Sequence, residues 1–205
     1  AVSTATPAPV SVSVLHVDPV LGNDSNTGAA GSPYRTLQKA LNVVKPGMTI
    51  RLASGIYQEA NQTVTAGTAL APIVIEPEPN AVPILDGKAN TLNAIRVVNS
   101  YYIIRNLEIR NTNEGVRLER VTGVVFENND VHHINNEGIR LHFFAVSNIV
   151  RNSRVYDTGL TSNGEGIYIG TAPEQRYKNG GLPDTSTHNI ISGNEIYGTR
   201  GEAID

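Results

Sequence analysis

The sequence predicts an all-β protein, a right-handed parallel β-helix (solenoid) with one N-terminal capping α-helix. The first observation is a segment that recurs five times, as NAIRVVNS, NEGVRLER, NEGIRLHF, GEGIYIGT and GEAID. Aligned on the apolar residues at positions 95, 116, 139, 167 and 204, successive copies lie 21, 23, 28 and 37 residues apart. The second observation is another recurring segment between these copies, as YYIIRNLEI, GVVFENNDV, SNIVRNSRV and HNIISGNEI. A repeat of about 22 residues with short strands and Asn-rich turns is typical of a parallel solenoid.

The elements before these repeats are a strand, a helix and further strands. The segment LHVDPV predicts a short strand, and SPYRTLQKALNVVKPG carries Leu37, Ala40, Leu41 and Val44 at helical spacing before Pro46 and Gly47 end it. From Met48 onward the apolar period changes to two, in MTIRLASGIY, APIVIEPEP and VPILDG. We expect the single helix to cap the N-terminal end of the solenoid, where unpaired strand edges would favour aggregation.

Composition and charge exclude several classes of protein. The 205 residues carry a net charge of −3 with acidic and basic residues interspersed, so we expect no nucleic-acid partner and no polybasic membrane contact. The absence of Cys excludes disulfide frameworks and thiolate zinc sites. The sequence has no run of 18 apolar residues that would span a membrane.

The two ends of the chain lead to expectations about domain organisation. Residues 1–13, rich in Ser, Thr and Pro, predict a flexible mature N-terminus after signal-peptide removal, and hence a secreted, extracellular protein. Residues 14–205 are expected to form a single parallel β-helix domain. Because the fifth repeat stops at Asp205, we expect this domain to be truncated at its C-terminal end, with missing coils or another chain covering that end.

Stacking of the repeats predicts which side chains face inward and which face outward. Alternate apolar residues should form inward columns, namely Ile95 and Val97, Val116 and Leu118, Ile139 and Leu141, and Ile167 and Ile169. The residues between them should form one outward column, namely Arg96, Arg117, Arg140, Tyr168 and Asp205, with Val98, Glu119, His142 and Gly170 beside it. At the turns, Asn106, Asn128 and Asn152 fall in register, where Asn tolerates the left-handed conformation and its amide can bond along the stack.

The outward column has a composition that suits the binding of an acidic polysaccharide. Arginine pairs bidentately with carboxylates, as Arg117 could, and a tyrosine ring packs on a sugar ring. The longest interruption of the repeat, residues 171–188, would add Tyr177, Lys178, Asp184 and His188 as a wall beside Tyr168. A merely solvated face and a neutral surface loop are the alternatives.

Acidic residues and histidines raise the question of a metal site. Glu114, Glu137, Glu165 and Glu202 occupy the same position in successive repeats and would form a ladder of like charges about 4.8 Å apart. Calcium, which prefers oxygen ligands, could be held by Glu165, Glu202 and Asp205, whereas the alternative is a ladder of solvated or turn-bound carboxylates. His132 and His133 are adjacent, so on an extended strand they would face opposite sides and share no ion.

Two parts of the sequence resemble known polysaccharide lyases. The segment VDPVLGNDSNTGAAGSPYRTLQKALNVVKPGMTIRLASGIYQE resembles the N-terminal region of secreted right-handed parallel β-helix proteins, including family 9 pectate lyases. GEGIYIGT and RGEAID resemble the acidic calcium-binding strand of family 6 alginate lyases and chondroitinase B. The resemblance implies a lyase that cleaves a uronate-containing polysaccharide by β-elimination, with Glu202 and Asp205 as calcium ligands.

The implied reaction needs a base, an acid and a group that neutralises the substrate carboxylate. Within this chain, Arg140, His142 and Tyr168 are the candidate bases or acids, and Arg117, Tyr177 and Lys178 are candidate substrate-binding residues. Two other classes stay open. A glycoside hydrolase would use paired carboxylates of the glutamate ladder, and a non-catalytic carbohydrate-binding or adhesion solenoid would need only the outward column.

Overall fold

The computed structural model describes residues 14–88 and 92–205, so the expectation of a flexible segment 1–13 lies outside the described residues. Eighteen strands and two short helices make up this described part. In chain order they are β1 (Val14–Val17), α1 (Leu37–Val43), β2 (Thr49–Leu52), β3 (Gly55–Tyr57), β4 (Asn61–Gln62), β5 (Ile73–Pro77), β6 (Pro83–Asp86), β7 (Ile95–Val97), β8 (Tyr102–Arg105), β9 (Glu108–Thr112), β10 (Val116–Glu119), β11 (Val125–Glu127), β12 (Asp130–Ile134), β13 (Ile139–His142), β14 (Ile149–Arg151), β15 (Arg154–Thr158), β16 (Ile167–Ile169), a 3-10 helix (Pro173–Asn179), β17 (Ile190–Ser192) and β18 (Glu195–Thr199).

The strands form three parallel sheets that the chain visits in turn, which confirms the predicted solenoid. Sheet 1 has the order β1-β2-β5-β8-β11-β14-β17, sheet 2 the order β3-β6-β9-β12-β15-β18, and sheet 3 the order β4-β7-β10-β13-β16. Each strand pairs with the strand of the same sheet in the next coil. No helix in the described residues is long and apolar enough to cross a membrane.

The predicted inward columns of sheet 3 are confirmed. Ile95, Val116, Ile139 and Ile167 lie in register from coil to coil, and all four are 0% exposed. The second predicted column stacks in the same way, although Ile169 at its end is only half-buried. These columns belong to one continuous core that runs along the solenoid.

The predicted helix α1 begins and ends close to its expected bounds. Thr36 caps it, because its hydroxyl accepts a hydrogen bond from the backbone N–H of Lys39 at 3.1 Å. Leu37, Ala40 and Leu41 are 0% exposed and join the core beside β1 and β4. The helix therefore covers the N-terminal end of the solenoid, as expected.

At the turn between sheets 1 and 2, one residue adopts the left-handed conformation and the next residue makes the hydrogen bonds between coils. Asn106, Asn128 and Asn152 have φ values of 59°, 55° and 51°, which confirms the left-handed conformation at this position. The hydrogen bonds along the stack come from the next position. The buried amide of Asn129 accepts from the N–H of Leu107 and donates to the carbonyl of Ile104, both at 3.0 Å. At this coil an exposed left-handed residue, Asn128, is thus followed by a buried amide, Asn129.

Outward charges on sheet 1 alternate in sign. The column consists of Arg51, Glu76, Arg105, Glu127 and Arg151 in register. Each neighbouring pair is bridged, for example Arg105 to Glu76 at 2.7 Å and Arg151 to Glu127 at 2.6 Å. Glu76, Arg105 and Glu127 therefore each lie between charges of opposite sign, which removes the repulsion that a column of like charges would have.

The structure predicts that substitutions at Asn128 and Asn129 change the free energy of unfolding by very different amounts. In Asn129→Leu, the N–H of Leu107 and the carbonyl of Ile104 would lose their buried partner, at a cost of roughly 2–4 kcal/mol in the free energy of unfolding. Leucine fits sterically, because Leu107 occupies the same position one coil earlier. The measurement is the urea dependence of circular dichroism.

The matched control is Asn128→Gly, which keeps a residue suited to positive φ and should change the unfolding free energy by less than about 0.5 kcal/mol. Equal destabilisation by the two substitutions would contradict the assigned roles.

Candidate functional site

The outer face of sheet 3 carries a column of three arginines and a tyrosine. Arg96, Arg117, Arg140 and Tyr168 are paired in register on β7, β10, β13 and β16. Asp205 lies beside Tyr168, since its backbone N–H donates to the carbonyl of Ile167 at 3.0 Å. We call Arg96, Arg117, Arg140, Tyr168 and Asp205 the arginine face. The stacking predicted from the repeat is therefore present.

The glutamates that precede these strands also stack in register. The backbone N–H groups of Gly115, Gly138 and Gly166 donate to the carbonyls of Glu137, Glu165 and Glu202, respectively, at 3.2, 3.0 and 3.0 Å. Two columns of opposite charge therefore run side by side along sheet 3, which the repeat predicted separately. Their pairing became visible only in the structure.

Glu114 is the residue through which these two columns meet. Its carboxylate lies 3.0 Å from Nη1 of Arg117 and 3.6 Å from Nη1 of Arg140. Arg140 Nη1 also lies 3.4 Å from Glu137. Burial raises the pKa of Glu114, the two arginines lower it and Glu137 raises it, with a net upward shift. Arg117 and Arg140 are thus held in place by carboxylates beneath the surface.

A second carboxylate, Glu119, fixes the other end of the arginine face. It lies 2.6 Å from Nη2 of Arg96 and 3.1 Å from Nη1 of Arg120. Sequence reasoning placed Glu119 beside the column without a role and did not single out Arg120. The side chain of Arg96 keeps 42% of its surface exposed, so this guanidinium is both anchored and open to solvent.

His142 lies beneath the arginine face and is only 1% exposed. Burial and the nearby charges of Arg140 and Arg117 lower its pKa to about 3, so the ring is neutral at physiological pH. Its Nε2 accepts a hydrogen bond from Nη2 of Arg117 at 3.2 Å, and the ring of Phe143 stacks on it at 4.1 Å. This geometry suits the positioning of Arg117. At 1% exposure the His142 ring is not accessible to a substrate.

Tyr168 and Arg140 form a stacked pair. The guanidinium carbon of Arg140 lies 5.0 Å from the centre of the Tyr168 ring. Arg140 is 6% exposed, and its Nη2 donates to Oε1 of Gln175 at 3.1 Å. Burial raises the pKa of Tyr168, Arg140 lowers it, and Asp205 and Glu165 raise it, with a net upward shift. The half-buried Tyr168 is therefore a neutral phenol that can donate a proton.

The insertion 171–188 forms a wall along the arginine face. Its 3-10 helix, which was not predicted, is attached at two points, through Gln175 to Arg140 and through Asn179 to Arg120 at 3.0 Å. Tyr177 lies between these points, is 73% exposed, and has Nζ of Lys178 over its ring at 5.8 Å. Gln175 and Asn179 were missed because the insertion has no repeat with which to align.

Asp184 attaches the rest of the insertion to the turn after β13. Its carboxylate accepts hydrogen bonds from the N–H groups of Phe143 and Phe144, at 2.6 and 2.9 Å, and from the hydroxyls of Thr171 and Ser186. Burial alone would raise the pKa of Asp184, but these hydrogen bonds lower this pKa to about 2. Asp184 therefore anchors the wall.

Not every predicted residue lies at this wall. His188 is exposed at the turn into β17 on sheet 1, and its Nδ1 lies 3.1 Å from the hydroxyl of Thr187.

The residues predicted to hold calcium lie at the last coil. Burial raises the pKa of Glu165, with further contributions from Glu137, Asp205 and Glu202, so these carboxylates repel one another. Glu202 and Asp205 are exposed. Within residues 14–88 and 92–205, no three His, Cys, Asp or Glu side chains form a group that could hold a metal ion. Calcium binding at Glu165, Glu202 and Asp205 stays a prediction.

The role of Asp184 gives a testable prediction. Asp184→Asn removes a charged acceptor, and hydrogen bonds to charged groups are worth about 1.5–3 kcal/mol. Tryptic cleavage after Arg176 and Lys178 should therefore become roughly tenfold faster or more, while the circular dichroism of the solenoid is unchanged. Because the folded-state pKa is depressed, the stabilisation in the unsubstituted protein is present above pH 4 or so and is lost as the pH falls toward about 2.

The control for this prediction is Glu174→Gln, which changes an exposed carboxylate of the same insertion. Its cleavage rate should equal that of the unsubstituted protein. An unchanged rate in Asp184→Asn would show that Asp184 does not hold the wall.

Solved structures with the same fold include several carbohydrate-active enzymes. An alginate lyase from Paenibacillus sp. strain FPU-7 is 30% identical, with a TM-score of 0.74 over 82% of this chain and 58% of that chain. Pectate lyase Pel9A is 20% identical, with a TM-score of 0.75 over 94% of this chain and 49% of that chain. A GH136 lacto-N-biosidase from Eubacterium ramulus is 19% identical, with a TM-score of 0.53 over 91% of this chain and 34% of that chain.

This chain therefore spans about half the length of the first two of these enzymes. Comparison with curated proteins gives no match. The model of one family, described as the Pel9A-like right-handed β-helix region, matches residues 16–192. Since this match covers all but the two ends of the chain, the protein belongs to the family of Pel9A-like right-handed β-helix proteins.

Proposed function

We propose that this chain carries the substrate-binding face and the proton donor of a secreted polysaccharide lyase that cleaves a uronate-containing polysaccharide by β-elimination. The observation that carries the proposal is the arginine face, in which anchored guanidiniums from successive coils lie beside a neutral tyrosine and an insertion wall. The family supports the proposal, as does the 30% identity to an alginate lyase, because alginate is a polymer of uronic acids. Secretion depends on residues 1–13 and stays a prediction.

Binding of the substrate carboxylate would fall to the exposed guanidiniums. The side chain of Arg96 is 42% exposed and that of Arg117 is 23% exposed, and both are oriented by glutamates. A guanidinium that is already held in place loses less conformational entropy when a carboxylate binds. Tyr177 and Lys178 on the wall would contact the sugar from the side. Charge pairing with the carboxylate also makes the neighbouring C–H proton easier to remove.

Tyr168 is the side chain best placed for proton transfer. It is half-buried rather than covered, and its raised pKa keeps the phenol protonated at neutral pH. It could therefore donate a proton to the glycosidic oxygen that leaves, once a base has taken the C–H proton beside the substrate carboxylate. Arg140 and His142 are almost fully buried, and their contacts to Tyr168 and Arg117 favour positioning roles for both.

A glycoside hydrolase is the second candidate function. The carboxylates of Glu137 and Glu165 lie in successive coils, and the pKa of Glu165 is raised. Strand spacing of about 4.8 Å is close to the separation of about 5–5.5 Å between the two carboxyl groups of retaining hydrolases. A carboxyl with a raised pKa beside a second carboxyl is the pattern that such a reaction needs.

Calcium is part of the proposal at the last coil. Glu165, Glu202 and Asp205 would supply oxygen ligands to a Ca²⁺ ion, with water completing the coordination. Their mutual repulsion supports this assignment, because a cation would relieve it. Bound calcium would supply charge that neutralises the substrate carboxylate.

The first experiment measures the ultraviolet absorbance of unsaturated products while this chain is incubated with alginate, pectate, glucuronan or chondroitin. Tyr168→Phe should lower turnover by roughly 10²–10⁴-fold, because the phenol proton is lost. Tyr156→Phe is the matched control, since Tyr156 also faces outward but on sheet 2. A rise in absorbance that depends on Tyr168 supports the lyase.

The other outcomes separate the rival functions. New reducing ends without an unsaturated product would favour the hydrolase. Retention on a polysaccharide without turnover would indicate a binding module. Neither binding nor turnover on any of the four polymers would contradict the proposal.

Calcium binding is tested by titration calorimetry. The unsubstituted protein should bind Ca²⁺, and Glu165→Gln should weaken this binding by roughly tenfold or more, since one charged ligand is lost. Because the pKa of Glu165 is raised, binding should also weaken as the pH falls into the range where this carboxyl takes up a proton. Glu195→Gln, an exposed glutamate on β18, is the control. Equal affinities in all three proteins would contradict the assignment.

A further inference from the structure

The outer face of sheet 2 carries two histidines whose side chains meet. Sequence reasoning placed His132 and His133 on opposite sides of an extended strand, and that prediction is wrong. His133 has a φ of 56°, and the Nδ1 atoms of the two rings lie 2.7 Å apart. The left-handed residue turns the second ring back to the same side as the first.

The fold imposes this conformation at His133. The equivalent residues of the neighbouring coils are Asn111, Asp157 and Gly198, with φ values of 51°, 52° and 62°. Four successive coils therefore share a left-handed residue at this point of sheet 2. The pair of imidazoles results from two histidines that happen to lie before and at a kink of the backbone.

The surroundings hold His132 in a defined orientation. Its ring is stacked on Tyr156 at 4.9 Å with an interplanar angle of 12°, and the residue is 9% exposed. Its Nε2 lies 3.4 Å from Oε1 of Glu108. A ring that donates Nε2–H to a carboxylate keeps the lone pair on Nδ1, and this carboxylate–histidine arrangement is usual for histidines that bind metals.

We propose that His132 and His133 together bind a divalent transition-metal ion of the Cu²⁺ or Ni²⁺ class through their Nδ1 atoms. In the metal-free protein, Nδ1–H of His133 donates to Nδ1 of His132. Exchange of that proton to Nε2 of His133 through solvent leaves two Nδ1 lone pairs on one side. The exposed His133 ring can then turn so that both lone pairs point at one ion.

The choice of metal follows from the ligands and not from the nitrogen–nitrogen distance, because 2.7 Å is the length of the hydrogen bond in the metal-free protein and the His133 ring turns on binding. Two neighbouring imidazoles with water in the other positions suit Cu²⁺ and Ni²⁺, which accept square-planar sites. Imidazole suits these metals, and Cu²⁺ stands highest in the divalent affinity order.

The local charges are compatible with a cation. Glu108 is paired with Arg110 at 2.8 Å, and Asp130 is paired with Arg154. Arg110 also pairs with a second carboxylate, that of Asp86. Asp130 and Glu108 are the negative charges that act directly on His132. Since no third His, Asp or Glu in the described residues completes the site, water would fill the other positions.

The test uses Cu²⁺ alone, followed by titration calorimetry and electron paramagnetic resonance. The protein should bind one equivalent with two imidazole nitrogens on the copper. His133→Asn should weaken binding by roughly 10–100-fold or more, because even the loss of an outer partner of a metal ligand costs that much. The variant should fold, since Asn111 occupies the same left-handed position one coil earlier.

The matched control is His188→Asn, which removes another exposed histidine at a left-handed position, with a φ of 58°. Its copper affinity should equal that of the unsubstituted protein. Equal affinity in His133→Asn, or a spectrum with a single imidazole nitrogen, would overturn the proposal. The site lies on sheet 2, so this outcome is independent of the lyase assay on sheet 3.

Discussion

The structure depends on one constraint, the in-register stacking of parallel strands along the axis of the solenoid. Each side chain has as its neighbour the residue at the same position of the next coil, about 4.8 Å away. Inside the solenoid this spacing produces columns such as Ile95, Val116 and Ile139, whose side chains are 0% exposed and packed together. Outside, it brings successive charges into contact, so every polar column needs its own electrostatic compensation.

The outer faces of sheets 1 and 3 compensate their stacked charges in different ways. On sheet 1 the charges alternate along the column, as in Arg105 between Glu76 and Glu127, so the column neutralises itself. On sheet 3 the charges along the column are alike, and the compensation comes from glutamates in the neighbouring column. The first arrangement leaves each charge paired within the ladder. The second holds guanidiniums in a row, and Arg96 remains open to solvent.

The insertion 171–188 adds new contacts along the arginine face of sheet 3. Its helix contacts Arg140 and Arg120, and Asp184 satisfies the backbone N–H groups of Phe143 and Phe144. A regular coil would have satisfied such groups by strand pairing, so the insertion replaces part of the sheet that it interrupts. Beside this insertion His142 is buried with a low pKa, whereas Tyr168 is half-buried with a raised pKa.

The sequence by itself determined the solenoid, the capping helix, the inward columns and the outward order of the arginine face. It could do so because the period of a strand is two and the coils stack in register, so position in the repeat dictates direction. Only the tertiary structure decided which charges pair across columns, how the insertion attaches to Arg140 and Arg120, and that His132 and His133 meet. These features depend on contacts between residues far apart in the chain and on one left-handed residue that reverses a side chain, and neither follows from periodicity.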